Sequence, residues 1–263
     1  MRRTSARALA SCLLTAGLGL TAGCTTFIDD VTSHDFRVRD LFSKPDPMTV
    51  LRTKEDGDAR AKAMLNLQEP RKSGGSEEQE TEALGFLAEA ATKDARPLCR
   101  LAAIDALGRF DDPRASALLV EAYQASIAFP TDVANPIRCQ VLTALGKKNS
   151  AEAINLLASV AATSRQRPDS SKVQQAGYNA NDELSKLLGR YDPDTQAVRD
   201  TRLAAVRALG ESRNPQAARL LIPILAEKDV ALHDRAQESL EKISGLKNIP
   251  AEPDAWKKAL NIQ

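Results

Sequence analysis

Apolar residues in this chain return every four positions in several separate places. Around Arg100 they are Cys99, Ala103 and Leu107; around Arg138 they are Ile137, Val141 and Leu145. Around Arg202 the same places hold Thr201, Ala205 and Leu209. Steps of four keep one face of a helix, so each run predicts a helix with one buried side. Each run closes on a glycine, Gly108, Gly146 or Gly210, which predicts a helix end with a left-handed residue. Pro113 and Pro215 then suit the first turn of a second helix, where the missing N–H costs nothing. Paired leucines follow at Leu118–Leu119, Leu156–Leu157 and Leu220–Leu221 and predict a second helix folding back on the first. The three copies superpose without a gap. Weaker copies lie on either side, from Arg60 to Leu67 and from His233 to Leu240.

A helical hairpin of roughly 35–40 residues cannot bury its own apolar face and must stack on its neighbours. The pattern therefore predicts an all-α fold, an α-solenoid of about five hairpins over residues 58–245. Composition agrees: aromatic residues are 4% of the chain and strand formers are sparse. The pattern R-x-A-A-x-x-A-L-G followed by P-x-A-x-x-L-L resembles HEAT repeats, above all the short HEAT-like type of bacterial proteins and phycobilisome lyases. The resemblance implies architecture and says little of activity.

The start, MRRTSARALASCLLTAGLGLTAGC, reads as an export signal over residues 1–23. Arg2, Arg3 and Arg7 form its positive end and Ala8 to Leu20 its apolar core, too short for a permanent membrane span. LTAGC resembles the bacterial lipobox, which implies lipidation at Cys24. It departs from that pattern in holding Thr21 where a Leu is usual. The glycines of GLGLTAG fall inside this leader with no strand before them, so they predict no nucleotide loop.

Residues 24–57 do not repeat. Phe27, Phe36, Leu41 and Phe42 make them too apolar for a free tether, and they predict a cap on the first repeat, with a short helix at Ser33–Phe42 and an extended KPDP turn. Their opening also resembles envelope HEAT-repeat lipoproteins of the planctomycete kind. Residues 68–79 read as a polar loop. The step from Leu145 to Leu209 is 64 residues against 38 from Leu107 to Leu145, which marks an insertion at about 164–196 carrying an extra helix near Ser171–Arg190. Insertions of this kind either line a binding face or patch the stack. Residues 246–263 predict a cap helix in which Trp256, the only Trp, covers the end of the core.

Little chemistry is encoded. His34 and His233 are the only histidines, and there is no HExxH, paired CxxC, GxSxG or P-loop. The sequence thus predicts no metal site, no cofactor and no enzyme. Charge is balanced at 36 basic and 35 acidic residues, and the leader removes three basic ones, which leaves no field for nucleic acid. Cys99 and Cys139 take apolar positions of the repeat on different helices, an arrangement that disfavours a disulfide. Arg60, Arg100, Arg138 and Arg202 form a ladder, and the resemblance to HEAT repeats implies that each pairs with acids or loop carbonyls of adjacent units; a basic track for a ligand is the alternative. Asp56, Asp94 and Asp132 stand shortly before three of them and suit N-caps.

These features point to a lipid-anchored interaction scaffold of the bacterial cell envelope, on the periplasmic side of the outer membrane, holding an unknown envelope protein. Five residues after the ladder position stand Asp105, Thr143 and Arg207, polar among apolar neighbours, and they are the candidate partner-binding residues. An accessory protein or enzyme of the HEAT-like lyase type, and a ligand- or cell-wall-binding module, are the alternatives.

Overall fold

The computed structural model describes residues 45–163 and 193–262, and the packed unit begins at Pro47. Every regular element among the described residues is helical. Helices α1 (Pro47–Thr53), α2 (Gly57–Asn66), α3 (Glu77–Lys93), α4 (Pro97–Arg109) and α5 (Arg114–Ala125) come first. They are followed by α6 (Thr131–Leu145), α7 (Ala151–Ala161), α8 (Pro193–Glu211), α9 (Pro215–Leu221), α10 (Val230–Ser244) and α11 (Pro253–Ala259). Short 3₁₀ turns sit at Pro70–Ser73, Ser126–Ala128 and Ile222–Ala226.

The helices pack in two rows. Helices α2, α4, α6, α8 and α10 each touch the next in that order, and α3, α5, α7 and α9 form the second row beside them. The first row carries the repeat. Its every-fourth positions are buried throughout: Cys99, Ile137, Thr201 and Leu232, then Ala103, Val141, Ala205 and Ala236, then Leu107, Leu145, Leu209 and Leu240. Thr201 fits this face because its hydroxyl donates to the Ala197 carbonyl at 3.0 Å, so no polar group is left bare. In the second row only the latter leucine of each pair, Leu119, Leu157 and Leu221, is fully buried; Leu118 and Leu156 are half-buried and Leu220 is exposed.

Of the repeat glycines only Gly146 ends its helix, as the C-cap of α6, and none is left-handed. Positive φ occurs only at Gly74 and Gly245 among the described glycines, and Gly108 and Gly210 lie inside α4 and α8. Gly146 follows α6 with φ −60°. What these three positions require is the absence of a side chain. A Cβ on Gly108 would stand 3.0 Å from the Ala144 Cβ, one on Gly146 2.8 Å from the Ala208 Cα, and one on Gly210 2.6 Å from the Ser239 Oγ. Each glycine thus lies against the small residue that precedes the repeat leucine of the next hairpin. This contact sets how closely successive helices of the first row approach.

The remaining differences from the sequence reading are local. Pro215 opens α9, while Pro113 sits one residue ahead of α5 as its N-cap. The KPDP turn ends at Pro47, which starts α1, and α1 packs on α2 with Leu51 buried, so the packed body starts before residue 58. Proline at a first helical turn is as natural as proline in an extended turn. Residues 193–196, placed at the end of the insertion by spacing alone, form the first turn of α8. The extra helix near 171–190, the short helix at 33–42 and Cys24 lie outside the described residues. The loop at 68–79 is less open than its polarity suggests: Glu69 is buried, and Ser76 with Gln79 makes a capping box that starts α3. At the far end Trp256 is fully buried and its indole Nε1 donates to Gln237 Oε1 at 2.7 Å.

Candidate functional site

The ladder arginines all reach backwards. Arg60 Nη1 donates to the Leu51 carbonyl in the last turn of α1 at 3.0 Å. Arg100 donates from Nη1 to the Ala91 carbonyl at 3.0 Å and from Nε to the Asp94 carbonyl at 2.6 Å, at the end of α3. Arg138 Nε donates to Ser126 Oγ at 3.0 Å just past α5, and Arg202 Nε to the Ala161 carbonyl at the end of α7, also at 3.0 Å. The last carbonyls of a helix have no partner within it and carry the negative end of its dipole. The guanidinium of Arg60, Arg100 or Arg202 satisfies both, while Arg138 reaches a serine hydroxyl instead, and each arginine ties a first-row helix to the chain before it. Arg100 and Arg202 are buried, and burial pushes the Arg100 guanidinium below its ordinary value.

The three acids near the ladder divide. Asp56 is the N-cap of α2 and accepts from the Ala59 N–H at 2.8 Å. Asp94 follows the end of α3 instead, and its carboxylate takes the backbone N–H and the guanidinium of Arg96. That pairing, the largest influence on it, holds Asp94 below the usual carboxylate range. Asp132 lies within the first turn of α6, behind Pro130. His233 occupies the ladder position of α10 but reaches forwards, with Nε2 3.2 Å from the Ala251 carbonyl and Nδ1 3.0 Å from Asp234.

The candidate binding residues share a register position on α4, α6 and α8 but not a situation. Asp105 is half-buried and pairs with Arg109 at 2.5 Å. Arg109 in turn donates to the Leu65 carbonyl at 2.9 Å, so Asp105 steers a cap for the end of α2. Thr143 is exposed and donates to the Cys139 carbonyl at 2.8 Å. Arg207 is exposed on α8. Leu65 on α2 and Glu238 on α10 complete the same row and are exposed too. Among the exposed large apolar residues of the described part, Leu65 at 47% lies in this row and Leu98 at 53% lies two places before a ladder position, whereas the more exposed Ile127 and Val230 lie elsewhere.

Cys99 and Cys139 are both free thiols. Cys99 is buried against α2, where its Sγ meets the Gly57 carbonyl at 3.3 Å. Cys139 is half-buried, and burial with Asp200 nearby pushes its thiol up to about 11. Neither has the electropositive, exposed setting of a reactive cysteine. Among the described residues no group of His, Cys, Asp and Glu is placed to hold a metal ion.

One polar network escaped the sequence reading. Along the turns within hairpins, Glu69 Oε2 accepts the Asp111 N–H at 2.8 Å, and Lys72 bridges Glu69 at 3.1 Å and Asp111 at 2.5 Å. Lys148, buried, donates to the Phe110 carbonyl, and burial lowers its ammonium below the ordinary lysine value. Asn214 donates to Asn149 at 3.1 Å and carries the sequence of contacts to the next turn. These residues do not share a register position from turn to turn, Asn149 standing four residues after its repeat leucine and Asn214 five, so no repeating letter marked them.

Comparison with known families gives two matches. The family of HEAT repeats matches residues 45–129, and the family described as PBS lyase HEAT-like repeat matches residues 201–227. No curated protein matches the chain.

Proposed function

Starting from a chain that is a HEAT-repeat protein, an all-α solenoid, we propose that it is a non-catalytic scaffold, lipid-anchored through Cys24 in the bacterial cell envelope, that docks a partner protein on its first-row helices. HEAT repeats generally mediate protein–protein interaction, and the arrangement of this chain supports that use. The observation that carries the reading is the row Leu65, Asp105, Thr143, Arg207 and Glu238, one residue from each of five stacked helices at one register position. Stacked helices lie about 8–10 Å apart, so such a row offers regularly spaced contacts to an extended partner segment. The row is mixed in charge and flanked by Leu98, which suits a protein surface better than a polyanion.

Two experiments test the two halves of the proposal. Cys24→Ser blocks attachment of the lipid, because the thiol is the acceptor, and moves the protein out of the membrane fraction. An unmodified wild-type N-terminus at another residue, found by mass measurement, ends the lipoprotein half. For docking, Arg207→Glu is compared with Glu152→Lys, which changes an exposed residue on the second row. Partner capture from detergent-solubilised envelope drops in the first and persists in the second; equal capture by both places docking elsewhere.

A lyase-type activity is the second reading, favoured by the family match at residues 201–227. A bound chromophore in the purified protein would raise it above the scaffold.

A further inference from the structure

Two of the ladder arginines are gripped from two sides, and Arg60 lacks the second grip. Besides the carbonyls behind it, Arg100 has the ring of Phe129 over its guanidinium, 4.3 Å to the centroid. Arg202 has the carboxylate of Glu227 on Nη2. Phe129 and Glu227 are equivalent residues: each directly follows the 3₁₀ turn that leads into the next first-row helix. The turn that would serve Arg60 lies between α3 and α4, and the carboxylate there, Asp94, is spent on Arg96. Arg60 is left half-buried with its one bond to Leu51 among the described residues, and it lines a cavity of about 380 Å³.

We propose that this cavity binds a carboxylate group from outside the packed body, which takes on Arg60 the place that Glu227 takes on Arg202. A guanidinium offers a rigid fork of donors that matches a carboxylate in plane, and such charge-assisted pairs are about twice as strong as neutral ones. Lys54 and Lys93 on the wall offset Glu55 and Glu89, which also line it. The other two arginines of the wall are already committed, Arg52 to Glu82 and Arg96 to Asp94 and the Glu55 carbonyl. Arg60 with the two lysines is therefore the receiving set. The ligand is an acidic side chain or a chain terminus of a peptide, both of which present the same planar anion. The site stands apart from the first-row docking face and survives or fails independently of it.

The full-length protein, titrated with three short peptides, tests this by NMR of the Arg60 Nε–H resonance. N-acetyl-Ala-Glu-Ala-amide offers only a side-chain carboxylate, N-acetyl-Ala-Ala-Ala only a terminal one, and N-acetyl-Ala-Gln-Ala-amide none. A saturable shift with either acid and none with the Gln peptide supports the site, and the acid that acts identifies the source. Lys54→Ala with Lys93→Ala, which removes no buried contact, weakens that binding severalfold, and Arg60→Lys weakens it about tenfold, the weight of one charge-assisted hydrogen bond. Unresponsive Arg60, or equal response to the Gln peptide, overturns the proposal. The lysine variant, with both of its changes at the surface, tests the site even where Arg60→Lys fails to fold, and unweakened binding in it overturns the proposal.

Discussion

A glycine inside a helix normally weakens it, by about 0.5–1 kcal/mol relative to alanine, through lost backbone freedom. Gly85 of α3 is such a residue: a Cβ there would meet nothing within 4 Å. Gly85→Ala therefore stabilises the protein by about that amount in a urea melt. Gly146→Ala does the opposite, because its Cβ would press on the backbone of Ala208 as well as its side chain, and backbone cannot step aside. A loss of about 1–3 kcal/mol is expected, as for other overpacked cores, and a gain would refute the close approach. The letters A-L-G were visible from the start, but their cause was not. Sequence spacing can show that Gly follows Leu; it cannot show that the alanine of the next copy lies against it. His233 gives a residue-scale prediction in pH. Its pKa is raised, first by Asp234 and then by the Ala251 carbonyl. A raised value means the protonated form is favoured by folding, so the contribution is fully present below about pH 6.5, the ordinary histidine value, and fades as pH rises through the folded value. NMR titration should place His233 above 6.5, and His233→Gln should flatten the change in stability over that window.

At the scale of elements, burial separates neighbours on one helix. Leu145 is fully buried on α6 and Thr143 is exposed. Leu145→Ala costs about 2–5 kcal/mol, through lost transfer energy and the cavity left behind. Thr143→Ala costs about 0.5 kcal/mol or less, since its hydroxyl only returns a bond to its own helix. Equal losses in denaturant would shift the register of the whole first row. That register was legible because it repeats: an apolar place three residues after each Arg, then Leu four residues further on. The partners of the arginines were not, because they depend on where the previous helix stops, and Asp94 closing α3 instead of opening α4 shows how a difference of two residues redirects a side chain. Helix α1 was missed for a similar reason, since a lone seven-residue helix has no period to reveal it. Asp105 was legible as polar on an apolar face, but its service to Arg109 follows from α2 ending beside it.

At the scale of the molecule, α6 and α8 pack directly although 47 residues separate the end of one from the start of the other. Gly146 meets Ala208 as Gly108 meets Ala144, and Arg202 still grips the end of α7. The stack is thus closed across the insertion by contacts that lie outside it. Replacing residues 168–190 by a short Gly-Ser bridge should leave the thermal midpoint within a few degrees of the parent; a collapse of the transition would give that segment a structural duty. The same contacts decide where one copy of the repeat ends and another begins. A hairpin counted from Arg to paired leucines looks self-sufficient on paper, yet its arginine answers the helix before it and its glycine the helix after it. A tandem gene duplication that copied one hairpin would therefore have to preserve a fit at both joints at once. The most permissive breakpoints are those in the turns between hairpins, where a copied segment carries its arginine and glycine together and meets equivalent partners at both joints. Arrays of this kind lengthen or shorten readily in evolution by whole hairpins, whereas a crossover falling between the arginine and the glycine must find, in a foreign neighbour, a small residue at one particular place.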